Sequence, residues 1–201
     1  MPATAQDSFD PTNYAPAVTE LLEPERLNEL GPGQPNLAAR RHLVELAQDP
    51  SRLARDGRVD DEWAAACLAG LWLYHDFLDE SHRVSQELNS IEGSYWHGIM
   101  HRREPDYGNA KYWFRRVGGH PIGDRLTEDA RRLAGEHALD ATARFLIDQP
   151  AWDHARFVDL CQAAASGESP RDALVRRVQL REWQLLFDYC YRRACLASPP
   201  G

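Results

Sequence analysis

Residues 60–88 read DDEWAAACLAGLWLYHDFLDESHRVSQEL, and the spacing of their apolar side chains decides the fold class. Ala64, Cys67, Leu68, Leu71 and Leu78 recur by threes and fours, which places them on one face of an α-helix. The spacing predicts one long helix from Asp60 to about Leu88. Continued by the same step, the buried stripe runs Leu68, Leu71, His75, Leu78, His82 and Ser85, so two histidines stand where leucines belong. Asp79 lies four residues after His75 and three before His82, close enough for all three side chains to meet on one side of that helix. Polar groups on a core face need partners. Either these histidines are satisfied by Asp79 and backbone carbonyls, or they belong to a site.

Outward from this helix the chain stays helical. Asn13 to Gly31 carries Tyr14, Val18, Leu21, Leu22, Leu27 and Leu30, interrupted by Pro16 and Pro24, and reads as two brief helices ended by the Gly-Pro-Gly-Gln-Pro run at 31–35. Asn36 is placed to cap a helix reaching Gln48. Further helices are expected at Thr127 to Ile147, Ala151 to Ala165 and Ser169 to Leu196, the last opened by a Ser169-Pro170 cap. Nothing alternates with period two for long enough to build a sheet. The expectation is an all-α, single-domain bundle over 13–197, of about six or seven helices with an irregular section at 89–125. Residues 1–12 and 198–201 are expected as flexible tails.

Hydrophobic residues make up 43% of the 201 and charged residues 27%, an ordinary balance for a soluble domain, and no apolar run approaches the ~20 residues of a membrane span. The start MPATAQDSFDPTNYAP has neither a basic first region nor an apolar core, so a cytoplasmic location is expected. Cys67, Cys161, Cys190 and Cys195 form no CxxC pair and sit in helical patterns, which favours buried thiols. A formal net charge of −8 argues against nucleic acid as a partner. From His97 to Arg116, however, five Lys/Arg face two Asp/Glu, a local +3 within an otherwise acidic chain. That island suits a small anionic ligand or a set of internal salt bridges.

The island belongs to Ser94–Arg116, SYWHGIMHRREPDYGNAKYWFRR. His97 and His101 stand at i and i+4, the spacing that points two imidazoles the same way from a helix, and Pro105 should end that helix. Glu92 can reach the same region if the chain bends near Gly93. Five of the eight histidines (75, 82, 97, 101 and 120) fall within 46 residues. A divalent transition metal held by His97, His101 and one or more of His75, Asp79, His82 and Glu92, with His75 and Glu92 the favoured additions, is one expectation. The other is a metal-free pocket in which His97, His101, His82 and Asp79 carry acid–base chemistry. There Trp96, Arg102, Arg103, Lys111, Trp113 and Arg116 bind the substrate. Against both stands a structural account, in which the arginines pair with acids and Asp106 or Asn109 caps a short helix ended by Gly118-Gly119.

Two resemblances bear on these residues. The dipeptide His75-Asp76 within LWLYHDFLD resembles the helix of HD-domain phosphohydrolases, which implies an all-α, metal-dependent site. The longer run LYHDFLDESHRVSQELNSIEGSYWHGIMHRREPDYGNAKYWFRRVGGHP, Leu73 to Pro121, resembles a group of uncharacterised bacterial and fungal proteins sharing a YWH-x-IMHRREPDY-x-NAKYWFRRVG-x-HP signature. It covers roughly a quarter of the chain and implies no activity. The function expected is that of an enzyme working on a small polar or anionic molecule through its histidines, metal assistance included. The competing class is a non-catalytic ligand-binding or interaction module whose His/Arg cluster is structural.

Overall fold

Helical patterning governs the whole chain, and the computed structural model, which describes residues 9–166 and 172–196, contains ten α-helices and no strand among those residues. The first two are α1 (Pro16–Leu22) and α2 (Arg40–Gln48). Next come α3 (Asp61–Tyr74), α4 (Leu78–Ser85), α5 (Ile91–Arg103) and α6 (Tyr107–Val117). After α7 (Gly123–Gly135), α8 (Phe145–Asp148) and α9 (His154–Ala165), the bundle closes with α10 (Asp172–Leu196), its longest helix. The all-α single-domain expectation holds. The helices outnumber the expected six or seven because the stretches expected as single helices over 60–88 and 127–147 are each broken in two, and the section at 89–125 is itself helical.

The core explains the order. Every residue of α5 from Glu92 to Arg103 is buried, so this helix is the axis of the bundle, with neighbours on all sides. α3 packs close to it because Gly70 has no side chain: a Cβ there would lie 2.8 Å from the Trp96 ring. Trp183 of α10 seals the contact, donating Nε1–H to the Gly70 carbonyl at 2.8 Å. Further along, α10 contributes Leu174, Val175 and Val178 to a second cluster with Ala130, Phe145, Leu146 and Phe157. One helix thereby ties the two halves of the core.

The predicted helix at 60–88 breaks in its middle, a correction with a clear cause. Asp60 accepts from the backbone N–H groups of Glu62 and Trp63 and starts α3 as a cap. Asp76 then takes φ 62°, the left-handed region that Asp tolerates better than most residues, and the chain re-enters a helix only at Leu78. The groups freed by the break are satisfied from the N-terminal segment. Arg26 Nε and Asn28 Nδ2 donate to the Tyr74 carbonyl, and the Asn36 N–H donates to the His75 carbonyl. The break also rotates His75 and His82 away from their expected common face.

Other expectations are corrected for similar reasons. The section at 89–125 is regular: Ser90 caps α5 by accepting from Gly93 N–H, and Asp106 caps α6 by accepting from Asn109 N–H. Pro105 falls between them, as a helix breaker should. Pro16 opens α1 instead of interrupting it, and residues 24–35 form no second helix. There the carbonyls of Leu27, Asn28 and Glu29 accept from Arg176 and Gln179 of α10. Asn36 spends its side chain on His75, and α2 starts at Arg40. The helix expected over 127–147 begins at Gly123, stops at Gly135 and resumes as α8. The expected N-terminal tail is packed at its described end, where Phe9 lies edge-on to Trp183. The Ser169-Pro170 cap and the 198–201 tail lie outside the described residues.

Candidate functional site

The site begins with the i, i+4 pair on α5. Helical geometry stacks His97 and His101 one above the other, with ring centres 4.8 Å apart and planes 29° apart. Packing of α4 against α5 brings a third imidazole edge-on to both: His82 lies 4.7 Å from the His97 ring and 5.3 Å from the His101 ring. One ligand atom from each of these three residues can be chosen so that all lie within 4.8 Å of one another, and they are the one such group of potential metal ligands among the described residues. His97 and His101 are buried while His82 is half-buried, so the cluster has an interior floor and one accessible member.

α6 closes the other side. The Trp113 ring lies flat on His97, centres 4.0 Å apart and planes 16° apart, and the Arg116 guanidinium sits 5.2 Å from the Trp113 ring centre. Asn109 Nδ2 lies 3.0 Å from His101 Nε2, and Glu104 Oε2 lies 3.3 Å from His101 Nδ1. His97 Nδ1 is buried and has no hydrogen-bond partner. Burial, reinforced by the neighbouring His101 and His82, lowers the His97 pKa to about 3. Burial also lowers that of His101, against the opposing pull of Glu104. Neutral imidazoles with free lone pairs are what a transition metal requires.

Beside the cluster runs an open cleft of about 790 Å³, whose lining includes Leu37, Phe77, Asp79, Glu104 and Asp106. Glu104 connects the two, facing the cleft and touching His101. Asp79 is exposed on the first turn of α4 and belongs to the cleft, outside the histidine group.

The remaining residues singled out in the sequence are engaged elsewhere. His75 accepts from Asn36 Nδ2 at its Nδ1 and donates Nε2–H to the Leu21 carbonyl, so both ring nitrogens hold the N-terminal segment to α3. Its partner in the HD dipeptide, Asp76, accepts from Arg26, Asn28 and Arg103. Glu92 faces His120, 3.4 Å away. Neither His75 nor Glu92 joins the three-histidine group, which corrects the metal set expected from spacing. Trp96 is interior, between Gly70 and Trp183. Arg102 has no exposed surface and pairs with Glu182 at 2.6 Å. Arg103 binds Asp76 and donates to the Gly31 carbonyl. Lys111 pairs with Asp159 and lines a separate cleft near His154. Of the six expected substrate-binding residues, Trp113 stacks on a histidine of the cluster, and Arg116 reaches the cluster only through Trp113. Two important ones were not expected: Glu104, signalled by its i+3 spacing from His101, and Asn109, read only as a cap.

No helix among the described residues is long and apolar enough to cross a membrane. Compared with family models, with curated proteins and with solved structures, the chain has no significant match in any of the three.

Proposed function

We propose that His82, His97 and His101 ligate a single transition-metal ion, and that the protein is a cytoplasmic enzyme using this centre to activate water or polarise an oxygen of a small polar substrate. The observation that carries the proposal is that His82, His97 and His101 can each bring one ring nitrogen within 4.8 Å of the others, with a buried and unpartnered Nδ1 on His97. Catalytic zinc sites commonly take three protein ligands and leave a fourth position for water. Metal–nitrogen bonds of about 2.0–2.1 Å require the three nitrogens to draw closer than they stand here, a movement open to His82, the least buried of them. Imidazole ligands suit zinc, copper, iron and nickel better than magnesium or calcium.

The surroundings narrow the substrate. Arg102 and Arg103, expected to hold an anion, are neutralised by buried carboxylates. Asp79, Glu104 and Asp106 make the adjacent cleft acidic. Neutral or cationic polar molecules are therefore favoured over anionic ones. In this reading a bound metal supplies a water that ionises near neutral pH, Trp113 shields one side, and the cleft admits the substrate.

The test is hydrolysis of a small activated ester, 4-nitrophenyl acetate, by protein stripped of metal and then reloaded with Zn²⁺ or Co²⁺. Turnover is expected only in the loaded protein, rising through neutral pH and absent from His97→Ala. Equal background rates in loaded, stripped and variant protein contradict the enzyme reading. A second reading has one observation in its favour, the flat stack of Trp113 on His97, which covers that imidazole. If the centre only stiffens the bundle, metal raises the melting temperature without creating turnover.

A further inference from the structure

A second cleft, of about 470 Å³, lies between α6 and the start of α9, and the donors and acceptors of its wall do not balance. Its side-chain acceptors are engaged. Asp153 accepts from the Arg156 N–H and Asp148 from Arg144. His154 Nδ1 accepts from the Trp152 indole, a group that can only donate, and Gln149 Oε1 accepts from the Asp153 N–H at 3.0 Å. That last bond fixes the Gln149 amide, because turning it over would set its NH₂ against another donor. Several donors are left over. Gln149 is only 3% exposed, and its Nε2 is buried without a hydrogen-bond partner. At the first turn of α9 the Arg156 and Phe157 N–H groups are taken by Asp153, which leaves those of His154 and Ala155 for another acceptor. Arg115 rests on the Tyr112 ring and Arg156 on the Phe145 ring, and neither guanidinium meets a carboxylate among the described residues.

We infer that this cleft is a binding site for a small organic carboxylate with an apolar body, held by Gln149, the first turn of α9, Arg115 and Arg156. A wall with spare donors and engaged acceptors selects a ligand that brings acceptors, and the positive end of a helix favours an anion among them. The charge is that of a monoanion. Lys111 is spent on Asp159 and Asp148 on Arg144, so Arg115 and Arg156 face the Asp153 carboxylate alone and leave one positive charge in excess. Burial holds His154 neutral, its pKa lowered to about 3 with Arg102 adding, so that ring contributes a flat surface and no charge. Half-buried Trp152, with Pro150 beside it, offers the apolar flank. The site is independent of the metal centre. α6 separates them, presenting Trp113 to His97 and Lys111, Phe114 and Arg115 to this cleft.

The experiment is a titration of the ¹⁵N-labelled full-length protein with benzoate, benzamide and inorganic phosphate, followed by amide NMR shifts, with melting curves of each variant as a control for folding. Benzoate should move the Gln149 side-chain NH₂ pair and the Ala155 N–H to saturation. Benzamide, which has the same body without the charge, and phosphate, which has charge without the body, should each bind about tenfold more weakly or less. Gln149→Glu keeps the acceptor for the Asp153 N–H and replaces the donor by a carboxylate oxygen, so it should weaken benzoate about tenfold or more. Arg115 and Arg156 are exposed and can be replaced without emptying the core. Arg115→Gln and Arg156→Gln should each weaken benzoate roughly two- to fivefold, the equivalent of one exposed charge pair. These two carry the test if Gln149→Glu does not fold. No saturable shift at Gln149 and Ala155 with benzoate overturns the site. Equal binding of benzamide, or parent-like affinity in both arginine variants, overturns its preference for an anion. Phosphate bound as tightly as benzoate overturns the apolar carboxylate.

Discussion

The carboxylate of Asp76 meets the guanidinium of Arg103 at 2.6 Å, with both side chains buried. The pair joins the break after α3 to the last residue of α5. Arg26 and Asn28 add two more donors to the same carboxylate, and a Cβ on Gly33 would fall 2.8 Å from it. A left-handed backbone at Asp76 and the loop at 31–35 are thus organised around one buried charge. Residues that resemble a catalytic dipeptide and an anion-binding arginine are, in this fold, the fastening of the N-terminal segment to the bundle axis.

Removing that fastening should be costly. Asp76→Ala leaves the Arg103 charge buried and alone, and we predict a loss of about 3–5 kcal/mol of unfolding free energy by urea titration. Asp76→Asn, which keeps the left-handed preference and an acceptor, should lose less. A change below about 1 kcal/mol in Asp76→Ala would mean that the carboxylate is not the organising group.

Arg102 and Glu182 provide a second test of the same distinction between structure and site. They meet at 2.6 Å with no exposed surface, Tyr95 donates its O–H to Glu182, and the guanidinium lies 4.7 Å from the Phe157 ring centre. Glu182→Ala should destabilise the protein by about 3–5 kcal/mol, whereas the double replacement Arg102→Met with Glu182→Leu should lose clearly less, because no lone charge remains. Variants that still fold should keep the parent's metal affinity. Selective loss of binding in a stable Arg102→Met variant would return Arg102 to the site.

Two histidines outside the cluster add to the acid sensitivity that burial of His97 and His101 already confers. Burial lowers His75 to about 4, with Arg26 adding to the effect, and lowers His154 to about 3, with Arg102 adding. Unfolding releases both to a value near 6.5, so below that pH the unfolded chain binds protons that the folded chain refuses. Stability is then fully present above about pH 6.5 and falls as the pH drops toward 4. The slope is at most about 1.4 kcal/mol per pH unit for each histidine. Urea midpoints at pH 7, 6 and 5 should decline in that order, and His154→Gln should decline less steeply. Flat midpoints across this range would contradict the burial of both rings as neutral groups.

Much of the fold was legible because helical spacing is a local signal: the cap at Asp106, the stop at Pro105 and the i, i+4 histidine pair all stand as expected. The break at Asp76 was not legible. Its causes, Arg26, Asn28 and Arg103, lie far away in sequence, and one helix face was extrapolated across a point where tertiary partners outweigh local preference. For that reason His75 was placed with the wrong neighbours, while His82 reached His97 and His101 by the packing of α4 on α5 and not by a shared stripe. The basic island misled in the same way. A count of charges sees Arg102 and Arg103 but not Glu182 and Asp76, the carboxylates that the fold brings to them. Glu104 was within reach of helical spacing alone, whereas Asn109 required the turn between α5 and α6 to be known.

The most direct measurement is the stoichiometry of metal binding, by elemental analysis and calorimetric titration of Zn²⁺ into stripped parent, His82→Ala, His97→Ala and His101→Ala proteins. We predict one ion per chain in the parent and none retained at comparable affinity in any of the three variants, with His75→Gln, where it folds, binding like the parent. Less than a tenth of an equivalent in the parent after loading, or full binding in the His97→Ala variant, would contradict a three-histidine centre.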